Sequence, residues 1–423
     1  MSMEEIIVNK RLCALFKGDK VVWMVFFLLS MISIVEVFSA SSVLTYKSQN
    51  YLGPIAFHTF TIIIGVLVAI IIQNIPYRYY RSMIPCLIIF SLATLLWVLL
   101  AGTKVGDAGR WINLFGFTFQ PSEIAKGTIV LVVAQILAVL QRDDGADKSA
   151  FKWILWITIP ACVLIGLENL STAVMLFTVV FLMMFFGLVP LRQLMKLAGF
   201  IILVIVIALT MIMLVGHEIN DDEKELAKIE QVERSEEKSL IEIIFHRLDT
   251  WKSRIIEFGK PMPAPENYDL NKNAQVAHAN IAIVTSGIVG KGPGKSTERD
   301  FLSQAFSDFI FAIIIEELGL LGASGVTFLY IILLFRCARI ANRCKKKFPA
   351  FLVMGLGILL ASQAIFNMMV AVGLVPVTGQ PLPLISKGGT STIINCAYIG
   401  VILSISRSSN RRTTESKVSI REL

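Results

Sequence analysis

Long apolar stretches alternate with short polar ones along this chain, and that pattern predicts its main elements. A window of about 19 residues identifies ten stretches that are long enough, or nearly so, to cross a bilayer of about 30 Å. We predict membrane spans at 21–43, 52–73, 83–102, 122–141, 153–167, 171–188, 197–216, 308–335, 350–372 and 389–406. The fifth and sixth stretches are short, with Glu168 and Asn169 between them. One kinked span there is the alternative, and it would invert the topology of everything downstream.

The distribution of basic residues favours ten spans over nine. If the amino terminus is cytoplasmic, the inner segments receive clusters of Lys and Arg while the short outer loops receive few, as the positive-inside rule requires. The inner clusters include Lys10, Arg11, Arg78, Arg81, Arg142, Lys152, Arg192, Lys196, Arg336, Arg339, Arg407 and Arg411. Both termini are then expected in the cytoplasm. The first apolar stretch lacks a small-residue cleavage motif, so we expect no cleaved signal peptide.

The sequence therefore predicts an all-α, polytopic membrane protein with five parts. These are a cytoplasmic segment 1–20, seven helices over 21–216, a large outer loop over 217–307, three helices over 308–406 and a basic cytoplasmic tail over 407–423. Composition excludes an ordinary soluble domain, because 55% of the residues are hydrophobic, 17% are charged and the mean hydropathy is +0.71.

The net charge of +8 mainly reflects this topology. Attraction of the inner face to anionic lipid explains it better than binding of nucleic acid. The six cysteines and four histidines are scattered and show neither a disulfide framework nor metal-ligand spacing. We predict no structural zinc.

The large outer loop has its own organisation. Residues 221–238 are a solvated charge run, and 241–258 have the apolar spacing of an amphipathic helix, lying on the outer membrane surface or packed on the bundle. Residues 274–290 are too short to span and predict a re-entrant or interfacial helix. The following GKGPGKS (290–296) is not a Walker A loop, because three residues separate its outer glycines where four are needed. Lys291 and Lys295 make it a candidate phosphate contact, with a plain loop as the alternative.

An isolated carboxylate, Asp308, stands at the start of a long apolar helix. A charge at that depth is costly in lipid, so it faces a watery cavity or takes part in chemistry. Further along the same helix we expect Glu316 and Glu317 to pair inside the bundle, with Lys126 as the candidate partner. Glu36 in the first span predicts a hydrogen-bonded contact between helices.

Three more outward segments carry polar residues toward the same side. The loop 106–126 holds Arg110, Gln120, Glu123 and Lys126, and cations that enter a span need a partner or a ligand. Residues 168–172 are candidates for a helix cap or a substrate contact. In 374–391, three prolines and three glycines break the helix at membrane depth, and Ser386 and Lys387 lie within that break.

Four motifs together resemble a known family, the SEDS glycosyltransferases of bacterial cell-wall synthesis, typified by FtsW, RodA and SpoVE. They are GRWINLFGFTFQPSEIAK (109–126), GKGPGKS (290–296), FLSQAFSDFIFAIIIEELGLLG (301–322) and LVPVTGQPLPLISKGGTS (374–391). They occur in the family's order and with its spacing, and the resemblance covers nearly the whole hydrophobic chain. The TGQPLPLIS form and the basic tail look more like FtsW, the division member, than RodA.

The resemblance implies a peptidoglycan polymerase that joins lipid II units outside the bacterial cytoplasmic membrane and releases undecaprenyl pyrophosphate. The likeness to the division member implies a place at the septum. The family's catalytic aspartate falls on Asp308, and a second acidic position falls on Asp300. The residues expected to bind substrate are Arg110, Gln120, Glu123, Lys126, Lys291, Lys295, Asp300, Ser386 and Lys387.

The resemblance also implies partners, and it has departures. The expected partners are a class B penicillin-binding protein that cross-links the strands, other divisome proteins and membrane lipids, with no nucleic acid. A divalent cation, Mg²⁺ or Mn²⁺, is left open as an aid to the pyrophosphate. Asn169 stands where an aspartate is common in the family, and Lys387 where a tyrosine is frequent. The alternatives are a lipid II flippase, a RodA-like elongation polymerase and a noncatalytic division scaffold.

Overall fold

The computed structural model describes residues 16–40, 53–101, 103–105, 108–114, 117–143, 145–215, 274–302 and 305–421. The charge run and the amphipathic helix predicted over 221–258 lie outside the described residues. The described helices are α1 (Lys20–Ala40), α2 (Gly53–Asn74), α3 (Tyr77–Ala101), α4 (Pro121–Val139), α5 (Lys148–Glu168), α6 (Leu170–Phe186), α7 (Leu191–Val215), α8 (Ala274–Ser286), α9 (Ile310–Arg343), α10 (Lys347–Ala371) and α11 (Thr390–Arg421).

Each of the ten predicted spans coincides with one of these helices, and the all-α polytopic prediction is confirmed. Seven of the described helices, α1 to α5, α9 and α10, are long and apolar enough to cross a membrane by length and composition. The predicted interfacial helix within 274–290 corresponds to α8.

The alternative of one kinked span over α5 and α6 is wrong, because the chain reverses between them. Asn169 ends α5 and caps α6, where its side-chain oxygen accepts hydrogen bonds from the amides of Ser171 (3.1 Å) and Thr172 (3.3 Å). The Sγ of Cys162 on α5 lies 3.8 Å from the carbonyl oxygen of Ala173 on α6. Eleven residues of continuous helix would separate them by about 16 Å.

The centre of the bundle is formed by α4 and α10, which are the most buried of the seven spans. Close approach of helices depends on small residues there, as it does in other membrane bundles. Gly127 on α4 lies against the ring of Tyr398, and Gly355 on α10 lies against Val130 and Met183. By contrast, α2 and α3 expose many apolar side chains, in keeping with contact to lipid.

A small antiparallel sheet replaces the loop that we predicted between the third and fourth spans. Its strands are β1 (Thr103–Val105), β2 (Ala108–Leu114) and β3 (Phe117–Phe119), in the order β1-β2-β3. Aromatic and β-branched residues favour strands, and in the sequence only two residues, the second a glycine, separate β2 from β3. That hairpin signal was present in the sequence. A second, two-stranded sheet pairs β4 (Gln141–Arg142) with β5 (Gly145–Ala146).

Helix α9 is interrupted at Gly319, which has φ 69° and ψ −172°. The segment 287–292 runs beside this break and pairs with its backbone groups. The four bonds are Lys291 N to Glu316 O (2.9 Å), Gly292 N to Glu317 O (2.8 Å), Leu320 N to Gly287 O (3.3 Å) and Leu321 N to Ile288 O (3.2 Å). A Cβ added at Gly319 would lie 2.3 Å from the carbonyl oxygen of Ile288. The break therefore requires glycine for both its backbone angle and its space.

We predict that Gly319→Ala destabilises the protein, whereas Gly325→Ala on the same helix does not. A left-handed backbone costs a residue with a Cβ about 1–2 kcal/mol, and the overlap with the Ile288 carbonyl adds to that. Gly325 has open space around its Cα, and alanine favours a helix interior. The measurement is the thermal unfolding midpoint of both purified variants in one detergent. Equal midpoints would contradict the assigned break.

Candidate active site

Asp308 lies two residues before the start of α9, in the turn 305–309, and its side chain is half-buried. This agrees with the sequence, which put a carboxylate at the mouth of the long apolar helix. The hydroxyl of Ser307 donates a hydrogen bond to Asp308 Oδ1 over 3.0 Å. The carboxylate thus lies at the end of the bundle where α9 begins, which we call the Asp308 end.

Three consecutive carbonyl groups of this turn each accept a hydrogen bond from another part of the chain. The bonds are Lys387 N to Phe306 O (2.9 Å), Ser386 Oγ to Ser307 O (2.6 Å) and Asn367 Nδ2 to Asp308 O (2.8 Å). We call this arrangement the carbonyl clamp. It joins the turn to α10 and to the connector 372–389, and so fixes the backbone that carries Asp308.

The connector itself is held by polar side chains of the bundle. Asn367 donates a second bond to Gln380 O (2.7 Å), and Gln363 Nε2 donates to Pro381 O (3.2 Å). Ser386 accepts from the amide of Leu382 (2.7 Å) and is 3% exposed. Ser386 is therefore committed to internal bonds, and its predicted contact with substrate gains no support from this geometry.

Lys387 brings a cation to the turn that carries Asp308. Its Nζ lies 5.2 Å from the centre of the Phe306 ring, a cation–π contact. Desolvation by partial burial lowers the pKa of Lys387 from its ordinary value. Within the described part of the chain, no carboxylate forms an ion pair with Lys387. This position suits a cation that meets an anionic ligand.

Glu123 and Lys126 form an ion pair inside the bundle. Lys126 Nζ lies 2.7 Å from Glu123 Oε1, and the exposed fractions of the lysine and glutamate side chains are 0% and 2%. The ammonium group also donates to Gln363 Oε1 over 3.2 Å. The prediction that Lys126 pairs with Glu316 or Glu317 is wrong. Burial leaves neither Glu123 nor Lys126 with surface for a ligand, so the geometry does not favour their predicted substrate role.

Glu316 and Glu317 are instead bound by the loop 290–297, which we call the glycine loop. Glu316 accepts from Lys291 Nζ (2.6 Å), Thr297 N (3.0 Å), Thr297 Oγ1 (2.9 Å), Glu298 N (3.4 Å) and Ser296 Oγ. Glu317 accepts from Gly294 N (2.8 Å), Ser296 N (3.2 Å) and Ser39 Oγ. The amides and the lysine that we expected to contact phosphate therefore hold carboxylates of the chain itself.

The other predicted residues lie at different places around the Asp308 end. Lys295 and Asp300 are exposed, and Asp300 Oδ1 lies 3.7 Å from Arg299 Nε. Gln120 directly precedes α4 and is half-buried. Arg110 belongs to β2, and its side chain lies outside the described part of the structure. The described residues contain no group of three His, Cys, Asp or Glu side chains placed to hold a metal ion.

Several residues that the sequence did not single out hold this end together. Arg299 Nη1 donates to Ser39 Oγ (2.8 Å) and to Gly294 O (3.0 Å), linking α1 to the glycine loop. Gln363 and Asn367 are four residues apart and so share one face of α10. Two amide side chains four residues apart in an apolar helix were the sequence feature that could have identified them.

Glu36 differs from its prediction. We expected a hydrogen-bonded contact between helices, and the side chain is fully buried on α1. Its two carboxylate oxygens have no hydrogen-bond partner among the described residues.

The chain is similar to known proteins along nearly its whole length. A family model described as "Cell cycle protein", covering FtsW, RodA and SpoVE, matches residues 19–411. A similar protein is the probable peptidoglycan glycosyltransferase FtsW of Geobacter metallireducens, 27% identical over 393 residues, with 92% of this chain and 94% of that protein covered. Another is the peptidoglycan glycosyltransferase MrdB of Escherichia coli K12, 27% identical over 394 residues, with coverage of 92% and 93%.

Solved structures share the fold. A chain from a structure described as "Structural coordination of polymerization and crosslinking by a peptidoglycan synthase complex" is 23% identical with a TM-score of 0.68, covering 92% of this chain and 98% of that one. The rod shape determining protein RodA of Thermus thermophilus is 22% identical with a TM-score of 0.60, covering 92% and 97%. At these identities the likeness establishes the fold.

We predict strong coupling between Lys291 and Glu316 in a double-mutant cycle of Lys291→Met and Glu316→Gln. The Glu316 carboxylate is fully buried and the Lys291 side chain is 27% exposed, so we expect a coupling energy between the limit of about 1 kcal/mol for an exposed pair and the cost of about 3–5 kcal/mol for breaking a fully buried one. The matched control is the pair Arg142 and Asp147, whose arginine side chain is 77% exposed and whose coupling should not exceed about 1 kcal/mol. The measurement is reversible unfolding in mixed micelles. Equal coupling in both pairs would contradict a structural role for the glycine loop.

Proposed function

The chain belongs to the FtsW/RodA/SpoVE family, and from this premise we propose that it is a peptidoglycan glycosyltransferase that polymerises lipid II. The reaction forms a β-1,4 glycosidic bond and releases undecaprenyl pyrophosphate. The observation that carries the proposal is the carbonyl clamp, which fixes the turn that carries a half-buried carboxylate, Asp308, and bonds the backbone of Lys387 to that same turn. The names of the similar proteins in Geobacter and E. coli support the same activity.

Asp308 is the proposed general base. The acceptor hydroxyl must lose its proton as it attacks the anomeric carbon of the donor, and a carboxylate within hydrogen-bond reach accepts that proton. The attack displaces the pyrophosphate directly, so the transfer inverts the anomeric centre and needs no covalent intermediate. The clamp supports this role because its three bonds hold the backbone of the turn and so fix the position from which the carboxylate acts.

Lys387 is the proposed cation for the leaving group. The pyrophosphate gains negative charge in the transition state, and a preorganised cation close to its oxygens lowers the barrier. Lys295 is exposed on the glycine loop and is a second candidate. Arg110 stays a candidate on the strength of the family resemblance. A divalent cation at the pyrophosphate also stays a proposal.

The proposed setting is the cytoplasmic membrane, with the Asp308 end outside and both termini in the cytoplasm. The basic residues of the opposite end, such as Arg78 and Arg407, support that orientation. We propose the septal role because the TGQPLPLIS segment resembles the division members. A class B penicillin-binding protein is the proposed partner, since a chain with the same fold belongs to a complex that coordinates polymerisation with cross-linking.

We predict that Asp308→Asn lowers polymerisation of purified lipid II by about 10²–10⁴-fold, the range expected when a general base is lost. Lipid II binding should stay within a few-fold, because the amide preserves the shape of the side chain. The matched control is Asp143→Asn, an exposed aspartate in the turn between β4 and β5. The assay follows glycan strand length after reconstitution of each variant.

Two results would contradict this role for Asp308. Polymerisation at the wild-type rate would exclude the base and favour a lipid II flippase or a noncatalytic scaffold. Parallel loss of binding and folded yield would assign Asp308 a structural role instead. Transport of lipid II across vesicles without strand formation would identify the flippase.

We predict that the rate of polymerisation declines as the pH rises. The decline should begin at a lower pH than it would if the lysine had its ordinary pKa. The pKa of Lys387 is lowered by desolvation, so its positive charge is present at low pH and is lost as pH rises through that lowered pKa. Lys387→Arg should move this alkaline limb upward, because arginine stays charged. The check is a pH–rate profile of both proteins. An unchanged alkaline limb would contradict a catalytic charge at this position.

A further inference from the structure

A polar cavity lies far from Asp308. Helix α11 begins three residues after Lys387 and carries Arg407 seventeen residues further on, about 26 Å along its axis. There it meets the junction of α2 and α3, and the three segments line an open cavity of about 710 Å³. The lining residues are Gln73, Asn74, Ile75, Pro76, Tyr77, Arg78, Tyr79, Ser82, Ser404, Arg407 and Ser408.

The charge of this cavity is positive and is not neutralised by the described residues. Asn74 Oδ1 accepts from Arg407 Nη1 (3.1 Å) and from Lys17 Nζ (3.4 Å), so two cations share one neutral oxygen. Arg78 adds a third cation, and the residues that line the cavity include no Asp or Glu. Within the described ranges, neither arginine nor Lys17 forms an ion pair. Converging cations without an acidic partner indicate an anionic ligand.

Hydroxyl groups and a helix terminus add donors of the kind that phosphate accepts. Ser82 lines the cavity together with Tyr77 and Tyr79, whereas the hydroxyl of Ser408 donates to the carbonyl of Ser404 over 3.2 Å. Helix α3 begins at Tyr77, so the amides of Tyr77 and Arg78 have no partner within the helix, while the amide of Tyr79 donates to Pro76 O over 3.1 Å. Arginine with hydroxyl and amide donors is a common way to bind a phosphate group.

The surroundings favour a lipid phosphate over a dissolved one. Tyr79 in the lining is 61% exposed, and the neighbouring Ile71 and Met83 are 63% and 48% exposed. These large side chains lie on the outer surface of helices long enough to span a membrane. A phosphate held in the cavity therefore lies next to a surface that suits acyl chains.

We infer that this cavity binds the phosphate headgroup of an anionic phospholipid in the inner leaflet. The inference rests on the proposed orientation and is independent of the reaction at Asp308. Bound there, one lipid would bridge α2, α3 and α11 and neutralise the charge of Arg78 and Arg407. Composition indicated a general attraction between the basic inner face and anionic lipid. The cavity would be a defined site for that attraction.

The test is native mass spectrometry of the full-length protein in detergent, titrated with phosphatidylglycerol, phosphatidylcholine or inorganic phosphate. The cavity variant is Arg78→Gln with Arg407→Gln. The control removes the same charge from exposed positions elsewhere with Arg339→Gln and Arg343→Gln. We expect the cavity variant to bind phosphatidylglycerol at least about tenfold more weakly, with the control within about twofold.

The binding results distinguish a specific lipid site from its alternatives. Equal loss in the two variants, or equal binding of phosphatidylcholine, would overturn a specific anionic site. Displacement of the lipid by an equal concentration of inorganic phosphate would overturn the lipid assignment in favour of a dissolved anion. The variant Arg78→Lys with Arg407→Lys keeps both charges and so separates binding from folding. Retained binding would support the site. Loss of binding at an unchanged unfolding midpoint would overturn the charge argument.

Discussion

Backbone groups at membrane depth must find hydrogen-bond partners inside the protein, because lipid offers none. The turn before α9 meets this constraint with three consecutive carbonyls that accept from α10 and the connector. Asn367 is central to it, since one amide group serves both Asp308 and Gln380. The place of the acidic side chain is thus set by residues about sixty positions later in the chain, and the irregular connector supplies the donors that the turn needs.

A second constraint acts about two helical turns deeper. Two adjacent carboxylates, Glu316 and Glu317, are fully buried, which is costly unless donors surround them. The glycine loop supplies amides, hydroxyls and Lys291, and the break at Gly319 lets it approach closely enough to do so. The loop that resembles a phosphate-binding loop in the sequence therefore binds two carboxylates of the protein itself. It joins α8 and α1 to the helix that follows Asp308.

The sequence was sufficient to predict the helices, but it did not predict most of the ion pairs and hydrogen bonds between segments. Apolar length determines a span, so all ten predicted stretches match helices, whereas the five short strands carried a weaker signal and were missed. The Glu123–Lys126 pair was readable, because residues three apart are neighbours on a helix. The partners of Glu316 and Asp308 lie in other segments, and no spacing along a chain specifies which segments meet. The isolated charge at the start of an apolar helix singled out Asp308, and the family resemblance implied its catalytic role, but neither revealed Asn367.

The pairing of charges separates the cations that build the fold from those available to a ligand. Lys126 and Lys291 each lie within 2.7 Å of a buried carboxylate, so their charge is already neutralised. Lys387 contacts an aromatic ring, which attracts a cation without cancelling its charge. A partly desolvated ammonium gains most from a second anion, because attraction is strongest where water is scarce. A pyrophosphate would therefore complete the surroundings of Lys387, whereas beside Lys126 or Lys291 it would have to displace a carboxylate of the protein.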